Sequence, residues 1–416
     1  MRWEKKARLA MIHVVTRDVA LEMLSLCYEC KDWDSYRSSI VHISKRRQQH
    51  SSVIAKSVEV ALTLVDKTPD RATKLKFVET LRDVTEGKIF LEVQRARLTR
   101  RLASMKEEDG EIDEASKIMQ EVQVETYGTM ENAEKVEFIL EQIRLCMVRK
   151  DWVRVAIIQK KIDRKAIDAD DIQQLKLRFY DMICRMNAQN DDTLELARSH
   201  LAVYNTKSVK DKEQDWKRAL SSAALFIVLS RHGKDQSDLL NRTKAMEAEK
   251  LKELELFQNL LKQFTTQEII AWPFSKETQQ VLSKHPVFSN VDMFGEKRVK
   301  EWTKRLRRRV LEHNVRVISG VYSRIRLTRL AEMIGLGAKE AESLVADMVS
   351  IDDDENSEPL YAKMDRPAGI VSFERPQSAD AQMTEWASNI NDVLELVEKT
   401  RHLIDRENQV AMESSS

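Results

Sequence analysis

The chain has 416 residues, of which 9 are Gly and 6 are Pro. That is about a third of the share these two residues take in an average protein, so turn material is scarce and the composition predicts an all-α protein. Lys and Arg number 69 against 68 Asp and Glu, which excludes a global charge suited to nucleic acid or an anionic membrane. The longest apolar run, Ala223–Leu229, is too short to span a bilayer.

Turn signals recur along the first 240 residues at intervals of about forty, centred on Asp32, Asp70, Asp109, Asp151, Asp191 and Gly233. Amphipathic segments flank each turn, and helix pairs of this size bury their apolar faces only when neighbouring pairs stack on them. Residues 1–245 are therefore predicted to form a right-handed α-solenoid of paired helices, of the TPR or HEAT kind. Trp33 and Trp152 should pack between the helices of a pair. A globular helical domain is the alternative.

Residues 246–305 are predicted to continue the helical structure as a linker. Trp272-Pro273-Phe274 and His285-Pro286 mark helix ends there, because the residue before a proline is disfavoured in a helix. A basic run, Lys304–Arg309, enters the next unit. No aromatic platform accompanies this run, so a solvated or acid-facing helical surface is favoured over a nucleic-acid site.

Residues 306–375 have the pattern of a winged helix. The predicted elements are a helix through Val310 to Tyr322, a strand at Arg324–Leu327, a second helix capped by Thr328 and ended by Gly335, a third helix at Ala338–Val349, and strands at Leu360–Asp365 and Ile370–Phe373. The caps follow the usual preferences for a hydroxyl at the start of a helix and Gly after its end.

The third helix of this unit would enter the major groove in a DNA-binding protein. From Ala338 to Ser350 it carries one Lys against Glu340, Glu342 and Asp347, and the acidic insertion Asp352–Glu358 follows. DNA affinity depends on Lys and Arg that neutralise phosphates. The unit is therefore predicted to contact protein, and a nucleic-acid-binding winged helix is the weaker alternative.

The last two strands form a predicted hairpin around Arg366-Pro367-Ala368-Gly369. In so small a sheet one strand must be an edge with unpaired backbone groups, which either stays solvated or adds to a neighbour's sheet. The predicted interface at this edge comprises Leu360, Tyr361, Ala362, Lys363, Met364, Ile370, Val371 and Phe373.

A C-terminal bundle helix is predicted over residues 376–410, followed by a disordered tail at 411–416. Its apolar residues, with Thr400 as a polar interruption, follow the 3, 4 spacing of a heptad seam. The predicted interface residues are Met383, Trp386, Ile390, Val393, Val397 and Ile404. Such a seam at a chain end needs a partner, either other helices of the same chain or a bundle with other subunits.

The sequence offers no catalytic or cofactor-binding motif. No Gly-x-x-x-x-Gly-Lys-Ser/Thr loop is present, and the eight His residues form neither His-x-His nor His-Glu-x-x-His. Cys27 and Cys30 have the spacing of a metal half-site without a second pair, so four reduced cysteines are expected. A Cys–His pair could still assemble in space, but the cysteines lie in apolar helical context, where a thiolate is disfavoured. We expect no enzyme activity, no cofactor and no metal.

The winged unit contains Ile325-x-Leu327-x-x-Leu330-Ala331-x-x-Ile334, and this motif after a helical solenoid resembles the PCI family. Further blocks similar to one member of that family are Leu81-Arg82-x-Val84-Thr85-Glu86-Gly87-Lys88-Ile89, Val136–Gln142 and Glu312-His313-Asn314. PCI proteins are scaffold subunits of the proteasome lid, the signalosome and a translation initiation factor.

The resemblance implies a non-catalytic scaffold in the lid of the proteasome's 19S regulatory particle, acting in ATP- and ubiquitin-dependent degradation. It implies that winged helices of several subunits align edge to edge and that C-terminal helices gather in one bundle. The implied partners are other lid PCI subunits, the lid deubiquitinase, the ATPase ring and the core particle, in the cytoplasm and nucleus. A signalosome scaffold is the alternative.

Overall fold

The computed structural model describes residues 6, 8–10, 12–167, 172–290, 294–350, 360–374 and 379–413. The chain divides into two compact units, residues 1–230 with 284–300 and residues 231–283 with 301–416. Each is described by itself. The predicted domain limits at residues 245 and 305 stay predictions.

Helices dominate the described chain. In chain order they are α1 His13–Glu29, α2 Trp33–Lys45, α3 Ser51–Leu64, α4 Arg71–Thr85, α5 Glu92–Glu108, α6 Ile112–Gln120, α7 Asn132–Val148, α8 Trp152–Ile158, α9 Arg164–Ile167, α10 Gln173–Asn190, α11 Thr193–Tyr204, α12 Lys207–Lys210, α13 Glu213–Leu229, α14 Lys234–Met246, α15 Ala248–Lys252, α16 Glu255–Thr265, α17 Lys276–Lys284, α18 Pro286–Ser289 and α19 Glu296–Val321. Short 3-10 turns lie at Val65–Lys67, Ile89–Leu91, Val124–Thr126 and Gln159–Lys161.

The remaining elements follow α19. They are β1 Arg324–Arg326, α20 Leu327–Ile334, α21 Ala338–Val349, β2 Lys363–Asp365, β3 Ile370–Ser372 and α22 Ala379–Glu413. A helical repeat region thus precedes a winged-helix module and a long terminal helix, which confirms the predicted all-α fold class with its small sheet.

Each of the six predicted turns lies between two consecutive helices, and three of them share one geometry. At the first, Lys31 takes the left-handed backbone (φ 55°), the Asp32 N–H donates to the Cys27 carbonyl at 3.1 Å, and the Asp32 carboxylate accepts from the Ser35 N–H at 3.0 Å. The turns at Lys150-Asp151 and Asp191-Asp192 repeat this combination of a helix C-cap and an Asp N-cap. The repeated turn signals in the sequence therefore correspond, at these three positions, to a repeated turn geometry in the structure.

Described residues of the first unit form at least two separate apolar cores. One gathers Leu24, Tyr36, Phe77 and Leu98 from α1, α2, α4 and α5, and Trp33 packs against it with its ring 5.6 Å from that of Phe77. The other is built largely by α7 and α10, and Trp152 packs against it as a partly buried residue. Both tryptophans thus serve helix packing, as predicted.

The apolar run Ala223–Leu229 belongs to α13, where every residue from Ala219 to Leu229 is buried. A helix that is apolar on all sides lies in a protein interior or a membrane. Among the described residues, no helix is long and apolar enough to cross a bilayer.

The winged-helix module has its own core, formed by Val315, Ile318, Leu330, Val345 and their neighbours. Gly335 ends α20 with φ 70°, as predicted, and α21 has the predicted bounds. The expected cap is wrong: β1 ends at Arg326, so α20 begins at Leu327 and Thr328 lies inside it without capping it. The cause is the Leu327 N–H, which donates to the Gly369 carbonyl at 2.8 Å and fixes where the chain turns into the helix.

The three strands form one antiparallel sheet in the order β1-β3-β2. Ile325 pairs with Val371 on one side of β3, and Met364 pairs with Val371 on the other. The two later strands are shorter than predicted, beginning at Lys363 and ending at Ser372. The acidic insertion Asp352–Glu358 lies outside the described residues.

The terminal helix α22 spans 35 residues. It extends past the predicted end at residue 410 and includes Ala411–Glu413, and the predicted limit between helix and tail stays a prediction. Ser414–Ser416 lie outside the described residues. Ion pairs one turn apart, Glu395–Lys399 at 2.6 Å and Arg401–Asp405 at 3.8 Å, add a few tenths of a kcal/mol each to a helix of this kind.

Candidate protein interface

The side chains of the heptad seam of α22 are largely exposed in the described unit that contains them. Trp386 is 72% exposed and Ile390 49% exposed, and the other predicted seam residues, Met383, Val393, Val397 and Ile404, are exposed as well. Every described side chain from Met383 to Arg406 has this status. The described residues of its own unit therefore do not cover the seam, which disfavours a bundle with other helices of that unit.

Three further apolar residues widen this surface beyond the seven-residue pattern. Leu394, Leu396 and Leu403 are all more than half exposed. Leu394 lies beside the seam and the other two lie on its flank, given the 100° that separates successive residues on a helix. These residues lie outside the two apolar positions of each heptad that form a two-helix seam. Apolar residues beyond those two positions indicate packing in a bundle of more than two helices.

The exposed edge of the winged-helix sheet differs in part from the predicted one. The prediction placed residues of both hairpin strands at the edge, but β3 lies between β1 and β2 and is paired on both sides. The open edges are therefore β2 and β1. On β2 the backbone groups of Met364 face away from β3, because Lys363 and Asp365 are the residues whose groups point toward it in this register.

The side chains of the predicted edge fall into two groups. Leu360, Val371 and Phe373 are buried in the core of the module, so they hold the sheet on its helices. Ala362 and Met364 pack partly against the same core, Tyr361 is half-buried, and Lys363 and Ile370 are exposed. Of the predicted set, the backbone of β2 and the side chains of Lys363 and Ile370 are the parts that lie open on the described surface.

The charge on α21 is more balanced than its own sequence indicates. Arg308 of α19 pairs with Asp347 at 3.2 Å, and Arg366 of the hairpin turn pairs with Glu342 at 2.8 Å. These pairs neutralise two of the three carboxylates on the helix. They also involve Arg308, which belongs to the predicted basic run. The face is neutral to acidic, and Lys339 is the one basic residue in the sequence of α21, whereas tight binding to phosphates requires several Lys and Arg.

One Cys–His pair does meet in space. The Cys184 thiol lies 3.9 Å from Nε2 of His200. Burial raises the pKa of Cys184 to about 12 and lowers the pKa of His200 to about 4, so the pair is a neutral thiol and a neutral imidazole near pH 7. A nucleophilic cysteine needs the opposite shifts. Among the described residues, no group of three His, Cys, Asp or Glu has the arrangement of a metal site.

A helical repeat region, a winged-helix module and an uncovered terminal helix define a class of proteins built to assemble with others, and residues 284–375 match the PCI domain family. Residues 1–212 match the family described as PSMD12/CSN4, N-terminal, and residues 383–412 match the 26S proteasome regulatory subunit RPN5 C-terminal domain.

The similarity to individual proteins extends over nearly the whole chain. The chain is 38% identical over 405 residues to the 26S proteasome non-ATPase regulatory subunit 12 of Dictyostelium discoideum, which covers 97% of this chain and 87% of that protein. It is 36% identical over 407 residues to the 26S proteasome regulatory subunit RPN5 of Saccharomyces cerevisiae, covering 97% and 88%. The chain belongs to this family of 26S proteasome regulatory subunits.

A more distant similarity joins the chain to the COP9 signalosome complex subunit 4 of Caenorhabditis elegans. The two are 23% identical over 309 residues, covering 73% of this chain and 69% of that protein.

Proposed function

We propose that this chain is a scaffold subunit of the lid of the proteasome's 19S regulatory particle and acts in ATP- and ubiquitin-dependent protein degradation. The observation that carries the proposal is the uncovered seam of α22, in the segment similar to the RPN5 C-terminal domain. An apolar side chain gains about 1.5–3 kcal/mol when it moves from water into a core. A row of them on one helix favours burial among helices of other subunits.

The open edge of the winged-helix sheet is the second device of the scaffold. Met364 and its neighbours on β2 offer backbone groups to a strand of a neighbouring PCI subunit, which would extend the sheet across the boundary. The mixed charges of α21, paired with Arg308 and Arg366, suit a protein neighbour better than a nucleic acid.

The scaffold is non-catalytic in this proposal. Support comes from the Cys184–His200 pair, whose protonation states near pH 7 are those of packing groups. The finer assignments are those that the resemblance to the PCI family implies. The proposed partners are other lid PCI subunits, the lid deubiquitinase, the ATPase ring and the core particle, and the proposed location is the cytoplasm and nucleus.

A signalosome scaffold is the second candidate, favoured by the similarity to signalosome subunit 4. Affinity purification of the tagged full chain from its own cells separates the two. The lid proposal predicts that ATPase and deubiquitinase subunits co-purify in near-equal amounts. Recovery of deneddylating activity without ATPase subunits would support the signalosome instead, and salt-sensitive retention of DNA or RNA would support the nucleic-acid alternative.

A further inference from the structure

The short helix α8 presents an apolar pair, Val153 and Ile157, to solvent. Val153 is 73% exposed and Ile157 is 58% exposed, and their i, i+4 spacing places them in one row on the helix. The other face of α8, with Val155 and Ile158, is buried in the core that α7 and α10 build. Val148, at the end of α7, is exposed as well. The packing of α8 in the first unit therefore uses one face of the helix and leaves the apolar pair uncovered.

The turn between α1 and α2 shows what the same backbone requires. Both turns have a left-handed lysine followed by an Asp N-cap, and in both the Asp N–H donates to the carbonyl of the Cys five residues earlier. With the two turns aligned, Trp33 matches Trp152 and both are half-buried, while Tyr36 matches Val155 and both are buried. Equivalent positions of α2 and α8 thus have the same environment.

The outward positions of these helices carry different side chains. At the positions of the apolar pair, α2 has Asp34 and Ser38, which are exposed as well. In the third turn of this geometry, α11 has the half-buried Leu194 and the exposed Arg198 there. Of the three turns, the one before α8 is followed by exposed apolar residues at both positions. Because polar residues suit the same backbone in α2, packing within the chain does not require the apolar pair.

Two lysines lie at the ends of α8. Lys150 precedes the helix, and Lys160 follows it in the short 3-10 turn, seven residues after Val153 and on the same side. Both lysines are exposed, and neither forms an ion pair with a described residue. The Asp151 carboxylate is already engaged, since it accepts the Arg154 N–H at 3.2 Å and pairs with the Arg154 guanidinium at 3.2 Å. The surface is therefore apolar at its centre and positively charged at its ends.

We propose that the apolar pair, Lys150 and Lys160 form a docking surface for an acidic amphipathic helix of another protein. Apolar side chains of the partner cover Val153 and Ile157, and Asp or Glu residues on either side of them pair with the two lysines. Charge complementarity of this kind selects the partner and its orientation. At 1.5 Å per residue the surface is about 15 Å long, which a partner helix of about three turns spans. This surface is separate from the α22 seam and does not depend on it.

Site-specific photocrosslinking in the protein's own cells tests the proposal. A diazirine-bearing aliphatic residue replaces Val153 in the tagged full chain, and mass spectrometry identifies the crosslinked segment after denaturing purification. The proposal predicts one predominant segment, with apolar residues at helical spacing and Asp or Glu on either side of them. The matched control carries the same photoreactive residue in place of Asp34, at the equivalent exposed position of α2, and should not crosslink to that segment.

Two variants in the background of the photoreactive chain show whether capture depends on the surface. Ile157→Ser places on α8 the side chain that α2 has at the same position, and it should reduce the crosslinked fraction several-fold. Lys150→Glu with Lys160→Glu should abolish the crosslink through repulsion. All three side chains are exposed, so the melting temperature should stay at the wild-type value. The absence of a crosslink from position 153, a crosslinked segment without carboxylates, or capture that survives the charge reversal would overturn the proposal.

Discussion

At the scale of single residues, two buried histidines make the first unit sensitive to acid. His285 accepts the Val287 N–H on Nδ1 at 3.3 Å, and its Nε2 lies 2.8 Å from Oγ of Ser221. That hydroxyl already donates to the Arg218 carbonyl at 3.1 Å, so it accepts from Nε2–H and the ring is neutral. His200 stacks on Phe226 nearby. Burial, with Arg218 contributing, lowers the pKa of both histidines to about 4.

This arrangement predicts loss of stability on mild acidification. The unfolded chain binds protons on these histidines below about pH 6.5, while the folded chain does so only near pH 4, so the free energy of unfolding falls as the pH decreases between those values. His285→Gln should reduce the shift of the urea midpoint between pH 7 and pH 5.5, whatever its effect at pH 7. The control His42→Gln removes an exposed ring and should leave the shift unchanged. Equal shifts in wild type and His285→Gln would contradict the assignment.

At the scale of elements, four of the six turns between consecutive helices contain one left-handed residue: Lys31, Gly110, Lys150 or Asp191. Gly110 supplies it between α5 and α6 with φ 83°, where the Glu111 N–H donates to the Lys106 carbonyl at 2.9 Å. Lys150 supplies it between α7 and α8 with φ 60°. The left-handed position of this turn can therefore be occupied by glycine or by another residue. Glycine avoids the steric strain that a Cβ atom causes in the left-handed conformation.

Gly110→Ala is therefore expected to lower the free energy of unfolding by about 1 kcal/mol. The cost comes from backbone conformation alone, since a Cβ there has no atom within 4 Å. Gly128→Ala is the matched control, because Gly128 also has open space but lies outside the left-handed region. Its substitution should be neutral or slightly stabilising, as measured by urea unfolding. A similar loss in both variants would contradict the explanation.

The elements that sequence predicts well are those that depend on local spacing. The turn positions, the bounds of α21 and the apolar row of α22 all follow from periodicity and capping along one segment. The errors come from contacts between distant residues. The sequence favours Thr328 as a cap because the hydrogen bond from Leu327 to Gly369 is not visible in it. It assigns residues of both hairpin strands to the edge because the strand order is not visible either.

The candidate sites show the same division. The seam could be predicted because all of its residues lie on one helix. The balanced charge of α21 could not be predicted from the sequence. It depends on the ion pairs Arg308–Asp347 and Arg366–Glu342, which join residues 39 and 24 positions apart.

At the scale of the whole molecule, the two exposed devices have different strengths. The edge of β2 offers a few backbone hydrogen bonds, each worth about 1 kcal/mol net. The surface of α22 offers a continuous apolar row, whose burial is worth more and must exceed the cost of association. We therefore expect the helix to provide most of the affinity for the complex and the sheet edge to set orientation.

The measurement that tests this account most directly is incorporation of a tagged chain carrying Trp386→Asp and Ile390→Asp into the complex, quantified against wild type by co-purification. The matched control is Thr384→Asp with Ser388→Asp, which adds the same charge on the opposite, exposed face of α22. The account predicts that the seam variant stays folded, with an unchanged helical signal, yet fails to assemble, while the control assembles normally. Assembly of the seam variant at the wild-type level would contradict it.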